Sequence, residues 1–322
     1  MGQRTQDLFM PLDPLVKAFL DKAAAIPRPK AWDVPPAMTR QSFAAMMQLT
    51  GPKDVPVGKI DNFTMPGPAG EIRARAYAPV AASGPLPTLI YFHGGGFVAG
   101  SLESHDGLCR LLAAEGGFKV IAVDYRLAPE HVFPAAVDDA VAATIWIEAN
   151  ATALGVDAGR IALGGDSAGA MLAAIVTQVM KEKGGIRIAA QLLMFPNTQI
   201  GGETASLNEF AVGYFLERRA IEYFHSLYLP AGADRASPRV SPLRGKDFAG
   251  LPPAYVMLGG YDPLHDEGQA YAEKLRAAGV KVTIADYADM VHCFIYLQTV
   301  LPQAHEAVSR AAHAVREALD AA

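Results

Sequence analysis

A serine framed by small residues, Gly165-Asp166-Ser167-Ala168-Gly169, carries the strongest chemical signal in the chain. The apolar Ile161-Ala162-Leu163 before it suits a short buried strand, and the almost continuously apolar run from Ala170 to Met180 suits a buried helix. A Gly-x-Ser-x-Gly run between strand and helix lets the backbone turn sharply enough to lift a hydroxyl out of the sheet, which makes Ser167 a candidate nucleophile. Taken alone, the pentapeptide reads equally well as a small-residue turn. A serine nucleophile needs a base, and the base needs an orienting carboxylate, so partners elsewhere must decide.

Eight histidines compete for the role of base. His305 and His313 fall off the apolar stripe Ala304, Ala307, Val308, Ala311, Val315 and Ala318 and are expected to be solvated. His225 lies in an insertion, His105, His131 and His265 have no strand setting them at a sheet edge, and His93 belongs to a glycine motif. His292 remains, following the expected strand Val280 to Tyr287. For the acid, Asp262 stands just past the expected strand Ala254 to Leu258; Asp266 reads as a helix cap instead. The order Ser167, Asp262, His292, each at the carboxyl end of a strand, is the order of a hydrolase triad on an α/β sheet.

His93-Gly94-Gly95-Gly96 directly follows the expected strand Thr88 to Phe92. Acyl transfer builds negative charge on a carbonyl oxygen, and fixed backbone N–H groups stabilise it without reorganising. Glycines let a substrate come close to them. The rival dinucleotide fingerprint, Gly94 to Ala99, fits much less well than an oxyanion hole, because no helix pattern opens there and Glu103 and Asp124 stand at the wrong distances for a ribose carboxylate.

These residues need a scaffold, and the chain supplies the pattern of one. A helix with Leu15, Val16, Phe19, Leu20 and Ala23 on one face starts at Asp13-Pro14, and a second carries Phe43, Met46 and Met47. The segment Gly58 to Pro79 alternates around the turn Pro66 to Gly70 and reads as an antiparallel edge hairpin. Strands at 88–92, 120–123, 160–164, 189–195, 254–258 and 280–287 then alternate with helices at 135–147, 170–180, 266–278 and 303–319. That rhythm implies one α/β domain over residues 1–322 with a mostly parallel central sheet flanked by helices. Residues 197–242 break the rhythm: no strand is expected, but aromatic residues including Tyr214, Phe215, Tyr223 and Phe224 crowd a helical region. Together with residues 1–50 this insertion is expected to build a cap, with Phe97, Tyr214 and Phe215, and beside them Phe43 and Met47, walling an apolar substrate cleft.

Composition removes several classes of function. Hydrophobic residues make up 51% and charged residues 19%, enough for a sizeable core. A net charge of -5 without a basic run excludes the footprint of a nucleic-acid binder. No stretch approaches the roughly 18 apolar residues of a membrane span. Met1 to Phe9 shows no leader pattern, so a cytoplasmic location is expected. Cys109 and Cys293 have no metal-ligand spacing and are expected to be reduced thiols.

His93-Gly94-Gly95-Gly96, Tyr125-Arg126-Leu127-Ala128-Pro129-Glu130, Gly165-Asp166-Ser167-Ala168-Gly169, Asp262-Pro263-Leu264 and the His292 segment together resemble the bacterial hormone-sensitive-lipase-like esterases, family IV of the α/β-hydrolase superfamily. The resemblance implies an α/β-hydrolase fold with a helical cap, Ser167, Asp262 and His292 as triad, and Gly95, Gly96 and Ala168 as oxyanion-hole donors. It further implies hydrolysis of short- to medium-chain carboxylic esters without cofactor or metal; that family often dimerises. An amidase, lactonase or carbamate hydrolase would use the same machinery, whereas a non-catalytic receptor on this fold would lack a triad member. Glu130 is expected to fix a loop and Asp166 to have no catalytic task. Cys293 departs from the family, which often has glycine after the histidine; it is either a small packing residue or a redox-sensitive thiol.

Overall fold

The structure, a computed structural model, describes residues 10–80 and 82–322; residues 1–9 of the expected cap lie outside them. Helix α1 (Pro14–Ala25) opens where Asp13 accepts hydrogen bonds from the N–H groups of Leu15 and Val16 at 2.7 and 3.2 Å, ahead of Pro14. Helix α2 (Pro36–Thr50) follows, and then the antiparallel hairpin of β1 (Lys59–Gly67) and β2 (Gly70–Ala78), closed by the pair Gly67 and Gly70.

From there strands and helices alternate: β3 (Leu86–Phe92), α3 (Asp106–Gly116), β4 (Lys119–Asp124), α4 (Ala135–Ala149), α5 (Ala151–Leu154), β5 (Val156–Asp166), α6 (Ala168–Lys183) and β6 (Ile188–Met194). The segment 197–242 contributes α7 (Ala205–Glu209) and α8 (Arg218–Tyr228) and no strand. The chain returns to the sheet with β7 (Ala254–Tyr261), α9 (His265–Ala277), β8 (Val282–Val291) and α10 (Pro302–Asp320).

All eight strands form one sheet in the order β1-β2-β4-β3-β5-β6-β7-β8. Strand β2 is antiparallel to both its neighbours, and the other pairs are parallel. Because side chains alternate across a strand, Ile90, Phe92, Ile121 and Leu163 face a core shared with α4, α6 and α9. Leu89, Tyr91, Val120 and Ala162 face the opposite core, closed by α3 and α10. With both faces covered, the central strands are apolar almost throughout, as a parallel sheet requires. This is the α/β-hydrolase fold.

Three differences from the sequence expectation concern the elements around the carboxyl edge of the sheet. Helix α3 had no counterpart there: its buried Leu108, Leu111 and Leu112 keep helical spacing, but the stretch is short and lies between Ser101-His105 turns and Gly116-Gly117. Strand β8 runs on to Val291, so His292 follows the strand immediately. Helix α9 starts at His265, which puts Asp266 in its first turn, where its carboxylate accepts from the Ser206 N–H at 2.9 Å. No helix among the described residues is long and apolar enough to cross a membrane.

Candidate active site

The ends of β3, β5, β7 and β8 meet at the carboxyl edge of the sheet, where open α/β folds place their ligands. Ser167 is the single residue between β5 and α6, with φ 52° and ψ −117°. A non-glycine residue in that region is strained by on the order of 1–3 kcal/mol, so its surroundings must hold it there. The Ser167 N–H donates to the Met194 carbonyl at 2.8 Å, at the end of β6. Gly169 lets α6 start against β3: a Cβ there would stand 1.9 Å from the Phe92 carbonyl oxygen.

His292 Nε2 lies 3.0 Å from Ser167 Oγ, and His292 Nδ1 lies 2.7 Å from Asp262 Oδ2. The other carboxylate oxygen of Asp262 accepts the Leu264 N–H at 2.8 Å. With the carboxylate accepting, the Nδ1 of His292 carries the hydrogen and Nε2 is free to accept from the serine hydroxyl. Asp262 and His292 are buried, while Ser167 is partly open. All three candidates therefore come together, in an arrangement that can transfer an acyl group.

Beside them runs the glycine loop. The N–H groups of Gly95, Gly96 and Ala168 donate to no protein acceptor among the described residues, and that of Ala168 stands at the first turn of α6, where helix N–H groups are unpaired. The Gly95 carbonyl is turned the other way and accepts from the Val98 and Ala99 N–H groups. The Tyr125 to Glu130 segment clamps this loop from below. The Tyr125 hydroxyl donates to the His93 carbonyl at 2.6 Å, and the Ala128 N–H to the Phe97 carbonyl at 2.9 Å. Arg126 forks onto buried Asp139. Glu130 grips Arg40 of α2, whose guanidinium also donates to the Val98 and Ala128 carbonyls at 2.7 and 2.9 Å. Thus Glu130 fixes a loop and also ties α2 to it.

Sequence reasoning missed one buried cluster. The Asp166 carboxylate, fully buried, accepts from the Tyr91 and Tyr296 hydroxyls and from the Gly94 N–H at 3.0 Å, with His105 Nε2 at 3.6 Å. Burial pushes this acid up, but His105 and the hydroxyl donors outweigh it and hold Asp166 down at about 2. A Cβ on Gly94 would stand 2.0 Å from the same carboxylate. Next to it His93 is neutral, lowered to about 3 by burial and by His105. The available signal was the run of buried-type Tyr91, His93 and His105 around an Asp inside an apolar elbow, which has no reason to be ionic unless it is bonded.

A cavity of about 400 Å³ opens over Ser167 and is walled by Phe43, Phe97, Phe215, Ile221 and Phe224. Phe97 stacks on Tyr228 at 3.9 Å. Two expected wall residues are elsewhere. Tyr214 packs on Phe210 and Tyr261 at 5.3 and 5.4 Å, because the chain turns at Phe215, with φ 70°, and sends only Phe215 into the cavity. On α2 it is Met46 that faces the cavity, while Met47 is buried in the core beside it. At the mouth Lys30 pairs with Glu217 at 2.7 Å, and Arg219 lies over the Trp32 ring at 4.7 Å.

Cys293 takes the left-handed conformation, φ 51° and ψ 33°, which explains why glycine suits this position. Burial, reinforced by Asp166 and Asp262, pushes its thiol well up, so it packs as a neutral group. Buried Glu267 is pushed up to about 8 by burial, against the pull of the Asn197 side chain and the Thr198 and Gln199 N–H groups. Among the described residues no group of three or more His, Cys, Asp or Glu side chains is arranged to hold a metal.

This geometry has close relatives. The alpha/beta hydrolase fold family matches residues 89–296. The carboxylic ester hydrolase LipN of Mycobacterium tuberculosis is 43% identical over 244 residues, which are 74% of this chain and 65%, just under two thirds, of LipN. The esterase LipI of the same organism is 42% identical over 266 residues, covering 81% of this chain and 82% of LipI. An ester-hydrolase from the metagenome of Lake Arreo, solved in complex with a derivative of bipyridine phosphonate, superposes with a TM-score of 0.92 at 44% identity, covering 95% of this chain and 98% of that one. The chain belongs to the alpha/beta hydrolase fold family, in its hormone-sensitive-lipase-like branch. Within that family it is a hydrolase of the carboxylesterase type.

Two measurements test the buried acids. Replacing Asp166 with Ala strands two tyrosine hydroxyls and a backbone N–H, and is expected to cost about 3–5 kcal/mol in a urea titration; a cost under about 1 kcal/mol would show that these donors find other partners. Glu267, raised in the folded state, contributes fully below its unfolded value near 4.5 and loses that contribution as pH rises through about 8. The melting temperature is therefore expected to decline over that window, and Glu267→Gln to flatten the decline; an unchanged slope would mean that Glu267 is ionised throughout.

Proposed function

We propose that Ser167, His292 and Asp262 hydrolyse carboxylic esters through an acyl-enzyme. The observation that carries this reading is the continuous hydrogen-bonded line from Ser167 Oγ through the imidazole to Asp262. His292 Nε2 takes the hydroxyl proton as Oγ attacks the ester carbonyl, and Asp262 holds the ring and stabilises the imidazolium. The carbonyl oxygen, now negative, is met by the N–H groups of Gly95, Gly96 and Ala168. Collapse expels the alcohol, which receives the proton from His292. A water then gives its proton to the same nitrogen, attacks the acyl carbon, and releases the acid with Ser167 restored.

The unengaged state of the three N–H groups supports their role, since a donor already bonded to protein would be unavailable to the oxyanion. The phosphonate in the Lake Arreo relative suggests a direct probe of the nucleophile. In this reading α1, α2 and the segment 197–242 act as a cap over one hydrolase domain, supported by the Lys30–Glu217 pair and by Phe19 against Phe215 at 6.2 Å. The cavity over Ser167 holds about 400 Å³ and is lined largely by aromatic side chains, which favours acyl chains of short to medium length.

Ser167→Ala is expected to lower kcat on an aryl ester by on the order of 10³-fold or more and to abolish labelling by an aryl phosphonate; a variant that keeps its turnover removes Ser167 from the mechanism. Across a series of nitrophenyl esters, kcat/KM is expected to peak at short or medium acyl chains and fall for long ones. A rate that climbs steadily to long-chain emulsions would identify a lipase instead.

A further inference from the structure

Most polar side chains around the cavity are already engaged. The Tyr296 hydroxyl donates to Asp166, Lys30 and Glu217 pair at the mouth, and the unpartnered Thr39 hydroxyl is sealed from solvent. His225 differs. It lies on α8 and borders both the candidate cavity and a second one of about 320 Å³, with Asn197, Ile221 and Leu264 common to both linings.

The hydrogen-bond network fixes which ring nitrogen of His225 holds the hydrogen. Asn197 Nδ2 lies 3.1 Å from the Gln199 carbonyl oxygen, which can only accept, and 2.7 Å from Glu267 Oε1. The amide orientation follows: Nδ2 donates and Oδ1 accepts. His225 Nε2, 2.9 Å from Asn197 Oδ1, must therefore be the donor. Burial, with the charge of Arg235 adding to it, lowers this imidazole to about 4, so near neutral pH the ring carries one hydrogen only. Nδ1 is left with a bare lone pair. It meets no protein donor among the described residues, yet it is not among the sealed, unpartnered atoms and stays accessible.

We propose that His225 is a specificity-determining residue whose Nδ1 accepts a hydrogen bond from a hydroxyl or N–H group carried by the substrate. Esters with such a donor on the acyl or the alcohol part are then preferred over esters of the same shape without one. A substrate lacking the donor would cover Nδ1 and strip its water without replacing the bond, which is the situation in which polar sites discriminate most strongly. Asn197 and Glu267 act behind it by holding the ring in this tautomer. The inference rests on the ester-hydrolase reading and adds the substrate class.

Matched ester pairs test it. One set consists of nitrophenyl esters with a hydroxyl at successive positions of the acyl chain and a methyl group in its place; the other compares hydroxyethyl with propyl butyrate. The ratio of kcat/KM within a pair, taken separately for each enzyme, cancels any general change in activity. In the parent enzyme at least one pair is expected to favour the hydroxyl by about tenfold or more, and in His225→Phe that ratio is expected to fall to about one. His225→Leu serves the same comparison if Phe is not accommodated. A preference that survives in the variant, or no preference at any position in the parent, overturns the proposal. A parent enzyme that hydrolyses neither member of any pair overturns the esterase reading beneath it.

Discussion

One buried carboxylate governs the arrangement of the site. Asp166 stands one residue before the candidate nucleophile and binds groups from three other segments: Tyr91 of β3 and Gly94 of the glycine loop after it, His105 ahead of α3, and Tyr296 past His292. A charge taken out of water is tolerable only when its lone pairs are filled, and filling them requires these segments to be in register. The spacing of Ser167, His292 and the glycine loop is thereby tied to one electrostatic requirement. Conversely, the strain at Ser167 persists because the residues on either side of it are immobilised: Asp166 by this cluster, Ala168 by the start of α6.

The second constraint couples the covering helices to the glycine loop. Arg40 reaches from α2 to the Val98 and Ala128 carbonyls, and Glu130 holds its guanidinium in place. A displacement of α2 would draw directly on the backbone that presents Gly95 and Gly96. At the opposite rim Lys30 and Glu217 join the N-terminal segment to the start of α8. The cavity is thus bounded by elements distant in sequence whose only shared business is the space over Ser167.

Much of this was legible in the sequence because the chemistry demands particular residue types at particular strand ends. Ser167, Asp262 and His292 could be picked out by order and context, and the parallel sheet followed from alternating strand and helix patterns. What was not legible depends on direction. Tyr214 and Phe215 are adjacent aromatics, and only the left-handed turn at Phe215 decides which one enters the cavity. Met46 and Met47 pose the same problem on a helix whose two apolar faces both have something to cover. The bonding role of Asp166 was not legible, because the tyrosines that bond it come from 75 residues before it and 130 after it. Helix α3 was hidden by brevity and by glycines at its ends.

The extension of β8 to Val291 has a kinetic implication. His292 follows the last strand in chain order, which pairs at an edge of the sheet, whereas Ser167 sits at the end of a central one. An intermediate in which the middle of the sheet has formed but the edge has not would hold a serine without a base. On the proposed mechanism such a species would not turn over esters, so turnover would appear during refolding only once β8 has paired.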